Sequence, residues 1–430
     1  MLDHEPSFPV PLVLPGAPDI GMVHDWLVTS GGAEQVLSLL VRLFRPTRLY
    51  AMVEFLAQAD RRRLLDTPIE TTFIQRLPFA RSKYWYYNVL MPLAGEQLDV
   101  TGHDIILSSS HSAAKGVICD PDQLHLCYLH SPIRFAWDLQ PYYMRKFGYD
   151  HGPRWLMAAL AFHYLRLWDQ RTAHGADLLI ANSDFVRRRG LKVYGRDAVV
   201  VHPPIDCDRF GFCADRDETY LCGSYFNPFK SLDVIIDAFA QMPDRRLLVF
   251  GDGPQREALR RRATANITFL GRLSDAELVR RMQQARAFVF AAPEDFGMII
   301  AEAQAAGTPV IAFNKGGARE IIRTGAQGAA TGVLFDRQQA DCIVDAVGRF
   351  EQQSIDPSAC RANALRFDTG VFVRRMNAIV ACAWEGWRSG YRVPALNELR
   401  DAADAAEAGA PSSAAAVPSL PAEQGARPLR

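Results

Sequence analysis

The sequence predicts an α/β chain of two doubly wound parallel-sheet domains facing a cleft. Three observations predict it. Short apolar strands alternate with apolar-periodic helices from about residue 20. The alternation pauses at a Pro-containing linker, HPPIDCDRF at 202–210, and then resumes in the same style. Strands separated by helices pair in parallel through right-handed crossovers, and such folds bind ligands beyond the carboxyl ends of their strands.

Taken in order, residues 1–18 are Pro-rich and read as a loose extension. The first strand is about Ile20–Trp26, followed by the loop TSGGAE and a helix from about Ala33 to Phe44. Strand signals recur near 47–53, 70–74, 104–107, 124–129, 177–181 and 197–201. Beyond the linker come TYLCG (219–223), a helix from about Leu232, RLLVF (246–250), ITFL (267–270) and AFVFAA (287–292). Met298–Ala306 has a helical pattern, Gly307 suits its C′ position and Pro309 stops it; Val310–Phe313 is then a further strand. From about Asp401 the chain is rich in Ala, Pro and Ser, a composition that buries little and reads as disordered.

The chain has 430 residues, 49% hydrophobic and 22% charged, enough for one or two full cores. Lys+Arg 48 balance Asp+Glu 48, so overall charge offers no argument for nucleic acid. The eight cysteines form no C-x-x-C pair and no zinc spacing; buried reduced thiols of a cytosolic protein account for them. Asp3, Glu5 and the early prolines do not read as a signal peptide. The longest apolar helical run, RWLMAALAFHYLRLW at 154–168, is broken by His163 and Arg166. It is also shorter than the ~18–20 residues a membrane span needs.

Four groups fall at strand ends or in the loops after them. Gly31-Gly32 follows the first strand and precedes a helix, where glycines allow close approach to a phosphate; an ordinary strand-to-helix turn explains it equally. His130 ends LHLCYL, and either faces a ligand or caps the strand. Lys230, in GSYFNPFKSLD, either meets a diphosphate or starts a helix in solvent. The fourth group is APEDFGMIIAEAQAAG. Glu302 sits there among Ala301, Ala303, Ala305 and Ala306, and Glu is seldom buried without a partner. Alone it fits a structural ion pair as well as a ligand contact. With Glu294, and with Gly297 opening a helix whose N–H groups favour an anion, the set points to a nucleotide-phosphate site. Asp206-X-Asp208 lies in the linker without a third ligand nearby and reads as a turn, and GDGP at 251–254 is no dinucleotide fingerprint.

With these motifs in view, the chain resembles the family 4 retaining glycosyltransferases of the two-domain GT-B fold over about residues 20–390. The resemblance rests on HDWL with GGAE, SSSHSAAKGV, CYLHSPIRFAWDL, ANSDFVRRR, HPPIDCDRF, NPFKSLDVIIDAF, LLVFGDGP, FLGRLSD and EDFGMIIAEAQAAGTPVIA. SSSHSAAKGV and HSPIRFAWDL look most like the mannosyltransferases of O-antigen and exopolysaccharide assembly, which use GDP-mannose. The implied organisation is a 1–18 extension, a 19–203 acceptor-side domain and a 204–372 nucleotide-sugar-binding domain. A helix at 373–395 returns to the first domain, and 396–430 is a disordered tail.

The resemblance implies that Gly31 and Gly32 lie against donor phosphate and sugar and that His130 approaches the anomeric carbon. It implies that Lys230 binds the diphosphate and Glu294 the sugar hydroxyls. Backbone N–H groups of Phe296, Gly297, Met298 and Ile299 then hold sugar or phosphate, and Glu302 the ribose diol. The catalytic pair expected is His130 and Glu294. Many members carry Arg five residues before the diphosphate Lys, where this chain has Tyr225. No cofactor or metal is expected, because the cation on the diphosphate is a side chain. The partners implied are a nucleotide sugar and a lipid-linked oligosaccharide acceptor. A non-catalytic sugar-nucleotide-binding module and a UDP-sugar transferase are the alternatives.

Residues 73–88, FIQRLPFARSKYWYYN, interleave Arg76, Arg81 and Lys83 with six aromatic side chains. The stretch reads either as a surface helix with its aromatics turned inward or as an interfacial patch on an anionic membrane. The second reading implies a cytoplasmic protein held peripherally at the inner face of the plasma membrane.

Overall fold

In the computed structural model, which describes residues 12–409 apart from 30, 147, 150 and 327, two separate parallel sheets carry the chain. The first contains Ile20–Leu27 (β1), Arg48–Glu54 (β2), Ile69–Thr71 (β3), Ile105–Ser110 (β4), Leu124–Leu129 (β5), Leu178–Ala181 (β6) and Val199–Val200 (β7). Its order is β3-β2-β1-β4-β5-β6-β7. The second contains Thr219–Gly223 (β8), Arg246–Phe250 (β9), Ile267–Gly271 (β10), Ala287–Phe290 (β11), Val310–Phe313 (β12) and Gly332–Phe335 (β13), ordered β10-β9-β8-β11-β12-β13. The two doubly wound parallel sheets expected from the alternation are therefore present.

Chain order reverses between β1 and β4 in the first sheet and between β8 and β11 in the second. At such a switch point the loops leaving neighbouring strands diverge to opposite faces and open a crevice. Register fixes the first one: Val23 lies between Tyr50 of β2 and Ser108 of β4. β4 and β5 are buried along their whole length, as strands covered by helices on both faces must be.

The helix Thr369–Gly390 follows the second domain in sequence but buries Phe372, Met376, Ile379 and Val380 in the core that holds Leu49, Leu107 and Tyr128 of the first sheet. Two indole N–H groups fasten it: Trp384 donates to the Pro15 carbonyl at 2.9 Å and Trp387 to the Asp122 carbonyl at 3.1 Å.

Two expectations are corrected here. Residues 12–18 are not loose: Leu14 is buried in the first-domain core, and the Leu12 N–H donates to the Leu43 carbonyl. The apolar residues between the prolines fill the gap beside the helix Gly32–Phe44. Nor is the chain without structure from 396. Leu396–Ala408 is a helix, because Leu399 and Ala403 recur at i, i+4 and bury against Thr369–Gly390. Arg375 pairs across that seam with Asp404 and Glu407. The expected extension over 1–11 and the expected tail over 410–430 lie outside the described residues. All eight cysteines are free thiols, and among the described residues no helix is long and apolar enough to cross a membrane.

Candidate functional site

The residues singled out in the sequence lie at the two switch points or, for His130, one strand beside the first. Loops leaving β1 and β5 carry Gly31-Gly32 and His130; loops leaving β8 and β11 carry Lys230 and Glu294.

On the first-domain side the organising group is Asp25, fully buried within β1. Its carboxylate accepts backbone N–H groups from His111 at 2.6 Å, Ser112 at 3.0 Å and Ala114 at 2.7 Å, and from Ala113 as well. Four donors stabilise a buried carboxylate that would otherwise be prohibitively costly. They also fold the loop after β4 into one shape and set His111 Nδ1 2.9 Å from Asp25. Burial opposes the charge on Asp25, but His111 outweighs it and holds the carboxyl well below its ordinary range. The His111 imidazole is raised in turn: burial lowers it, and Asp25 more than compensates.

His130 is nearly buried, and its Nε2 lies 2.8 Å from Ser109 Oγ. Burial, with His111 and His24 close by, pushes its imidazolium far down, so the ring is neutral near pH 7. His24 Nδ1 faces the same residue, 3.0 Å from the Ser109 carbonyl. The Gly31 N–H is already engaged, donating to Glu34 Oε2 at 2.9 Å. Of the glycine pair, Gly32 is the exposed one.

On the second-domain side, Lys230 donates to Glu294 Oε1 in an ion pair that joins the loops after β8 and β11. The Glu294–Gly297 loop is held down by its neighbour strand end. Gly317 N–H donates to the Glu294 carbonyl at 3.0 Å, and a methyl group on Gly316 would stand 2.1 Å from that oxygen. Only glycine allows the approach. Gly297, at φ +95°, turns the chain into the helix Met298–Ala305. Phe296 points its ring into the core against His202 and Phe367, so it can offer a ligand only its backbone. Met298 and Ile299 are half-buried.

Glu302 occupies the one part-exposed position between the sealed residues Ala301 and Ala303. Desolvation raises its carboxyl to about 7, with Arg209 drawing it back. Among the described residues no cation pairs with it; Arg209 is paired instead with Asp275 at 3.3 Å. The structural ion pair considered for Glu302 is therefore not formed. Tyr225 is exposed, and Asp206 accepts the Arg209 N–H at 3.0 Å in the expected turn.

The two sides meet. Arg189 donates to Ser131 Oγ at 2.7 Å and to Asp295 Oδ1 at 2.8 Å, tying the loop after His130 to the loop after Glu294. Ser183 Oγ donates to the Asp295 carbonyl at 2.7 Å, and Arg134 approaches Asp295 at 3.4 Å. A methyl group on Gly32 would stand 3.0 Å from Met298 Sδ. Glu320 caps the Asp184–Tyr194 helix across the same boundary, accepting N–H groups of Asp184 and Phe185 at 2.8 Å each.

Several site residues were missed in the sequence. His24, Asp25, Glu34 and His111 stand in HDWL, GGAE and SSSHSAAKGV, motifs that carried the resemblance without an assigned role. The readable signal was an Asp inside an otherwise apolar strand, which must find donors. Nothing local marked Arg189 and Asp295, whose pairing spans 106 positions.

Fold and cleft together define a GT-B glycosyltransferase, and comparison with known proteins agrees. Residues 30–209 match the family described as Glycosyltransferase Family 4, and residues 212–367 match Glycosyl transferases group 1. The chain belongs to the family 4 glycosyltransferases of GT-B fold. It is 34% identical over 183 residues to a phosphatidyl-myo-inositol mannosyltransferase of Mycobacterium tuberculosis, covering 39% of this chain and 48% of that protein. A GDP-mannose-dependent alpha-(1-6)-phosphatidylinositol monomannoside mannosyltransferase of the same organism is 30% identical over 232 residues, covering 46% and 58%. The matched stretches thus span about half the length of these relatives. Anabaena HepE, solved in complex with UDP and glucose, superposes with a TM-score of 0.61 at 19% identity, covering 85% of this chain and 99% of that one. Sucrose-phosphate synthase from Thermosynechococcus elongatus gives 0.61 at 17% identity, covering 84% and 98%.

Proposed function

We propose that the protein transfers mannose from GDP-mannose to a lipid-linked saccharide of a bacterial surface polysaccharide, with retention at the anomeric carbon. The observation that carries this reading is the joining of the His130 and Glu294 loops through Arg189, which brings both switch points to one cleft. In this reading the ribose diol donates to Glu302, a carboxyl raised by desolvation that pairs with no cation among the described residues. Lys230 leaves Glu294 for the diphosphate, and Glu294 takes sugar hydroxyls. Gly32 and the N–H groups of Gly297, Met298 and Ile299 stabilise the departing phosphate, since the Gly31 N–H is engaged by Glu34. A neutral His130 beside the anomeric carbon adds no repulsion to an oxocarbenium-like state, whereas an imidazolium would.

Mannose and guanine are supported by the motif resemblance and by the names of the mannosyltransferase relatives. A UDP-sugar donor is the second reading, prompted by the UDP and glucose of HepE. A thermal-shift panel of GDP-mannose, UDP-glucose, GDP and UDP decides between them. Release of GDP from GDP-mannose with bacterial membranes present then tests transfer; binding without release would mean a non-catalytic module. Activity should survive exhaustive EDTA treatment, because Lys230 is the proposed cation on the diphosphate. A lipid-linked acceptor places the protein peripherally on the cytoplasmic membrane face. Exposed Phe79, Trp85 and Tyr86 beside Arg81 and Lys83 support that placement.

A further inference from the structure

We infer that the first half of the helix Gly152–Thr172 is a second lipid-contacting element which, beside residues 73–93, seats the first domain on an anionic bilayer. This rests on the membrane-surface reading above and extends it to a separate part of the chain.

Thirteen of the twenty exposed large hydrophobic residues among the described residues lie in residues 73–93 and the whole helix Gly152–Thr172. On the helix they include Trp155, Leu156, Met157, Leu160 and Leu167, exposed by 48, 53, 65, 60 and 57%. A helix resting on a core has one wet face and it is polar. Here residues 151–157 are exposed all round, and the contacts with the core gather from Phe162 onward, with Leu165 and Trp168 the buried anchors. Soluble monomers rarely leave so large an apolar patch open to water.

The two segments adjoin. Trp168 Nε1 donates to Glu96 Oε1 at 2.8 Å, Arg171 pairs with the same carboxylate, and Leu165, Trp168, Met91 and Ala94 share one buried cluster. Charge selects the occupant. Neither 71–95 nor 151–168 contains an Asp or Glu, although the whole chain is neutral. Arg76, Arg81 and Lys83 lie in the first segment and Arg154 and Arg166 in the second. A second copy would set two such cationic patches against each other in an isologous contact, which is unfavourable; an anionic lipid surface complements both.

The patch also reaches the cleft. Tyr84 lies 5.5 Å from Trp26, Trp26 4.4 Å from His111, and His111 6.3 Å from His130, measured between ring centroids. An acceptor whose lipid stays in the bilayer has a short aromatic path from headgroup depth to the proposed transfer centre.

The test is co-sedimentation of the full chain with vesicles of equal parts phosphatidylglycerol and phosphatidylcholine, and with phosphatidylcholine alone. Leu156→Glu with Leu160→Glu should lower partition onto the anionic vesicles by about tenfold or more, leaving melting temperature and GDP-mannose binding unchanged. Arg81→Glu with Lys83→Glu, run in parallel, tests the first segment alone. If only that second variant loses binding, the helix is not a lipid element and the simpler membrane reading stands. Should both variants sediment like wild type, both ideas are wrong. If wild type is dimeric by light scattering and the leucine variant is monomeric with unchanged vesicle binding, the helix covers a second copy and the inference fails. The conservative variant Trp155→Phe guards against misfolding: it should remove part of the tryptophan quenching by brominated acyl chains, and unchanged quenching would overturn the inference.

Discussion

Lys230 and Glu294, from the loops after β8 and β11, form an ion pair across the switch point of the second sheet. Each is a proposed donor contact, so the pair holds two binding groups in register until a diphosphate and a sugar separate them. Both side chains are only 22 and 20% exposed, and a glutamine at 294 keeps the shape and an acceptor oxygen for Lys230. Glu294→Gln should therefore leave the melting temperature nearly unchanged while turnover falls by about 10²-fold, the scale of one lost charge-assisted contact in the transition state. Lys230→Met should raise the donor KM as well as lower turnover. Wild-type turnover in Glu294→Gln would take that residue out of the chemistry.

Glu302 makes a prediction about pH. Its carboxyl is raised to about 7 by desolvation, so the fold disfavours its ionised form. The unfolded chain, with an ordinary Glu, releases that proton earlier. Stability should thus be greatest below the ordinary pKa and decline as pH rises towards 7. Glu302→Gln should flatten that part of the profile. A ribose diol can donate to both oxygens of the carboxylate but only to the carbonyl oxygen of the acid, and more weakly, so nucleotide affinity of wild type should increase between pH 6 and 8. An equally steep rise in Glu302→Gln would assign the effect to another group.

Asp25 is the structural counterpart, because its four backbone donors have no other acceptor among the described residues. Asp25→Ala should cost about 3 kcal/mol or more and disorder the loop bearing His111. The carboxyl is held below its ordinary value, so its contribution is complete above that value and is lost as pH falls through the folded pKa. Chemical denaturation at pH 7 measures the cost; a loss under 1 kcal/mol would mean the loop is held by something else.

What could be read in the sequence followed its periodicity. Strand, loop and helix alternate strongly enough that Leu124–Leu129 and Val310–Phe313 were expected at the residues observed. The positions of Lys230 and Glu294 in loops beyond strand ends were legible for the same reason, since each follows a clear strand. Composition misled at Leu396–Ala408, where an Ala-rich run hid two core positions four residues apart. The Pro-rich start hid Leu14 in the same way. Contacts between the domains had no local signature. Glu320 reaches the Asp184 N–H over 136 positions, and only the folded chain shows why an acid stands there.

Trp26 carries the last prediction, which rests on the proposed lipid-linked acceptor. Its indole is half-buried, edge-on to His111 and close to Tyr84, on the line from the apolar patch to the cleft. A sugar ring presents an apolar C–H face that an indole can cover, and removing that apolar surface from water contributes roughly 25 cal/mol per Å². Trp26→Leu should raise the acceptor KM by about tenfold with GDP-mannose affinity little changed, while the melting temperature falls modestly because the indole also packs on the cluster that holds Tyr50 and Met91. Trp26→Phe should restore most of the loss, because stacking needs a flat ring and not an indole N–H. Measuring acceptor KM against donor Kd separates the two ways this can go. If both worsen together, Trp26 supports the His111 loop and does not receive the acceptor.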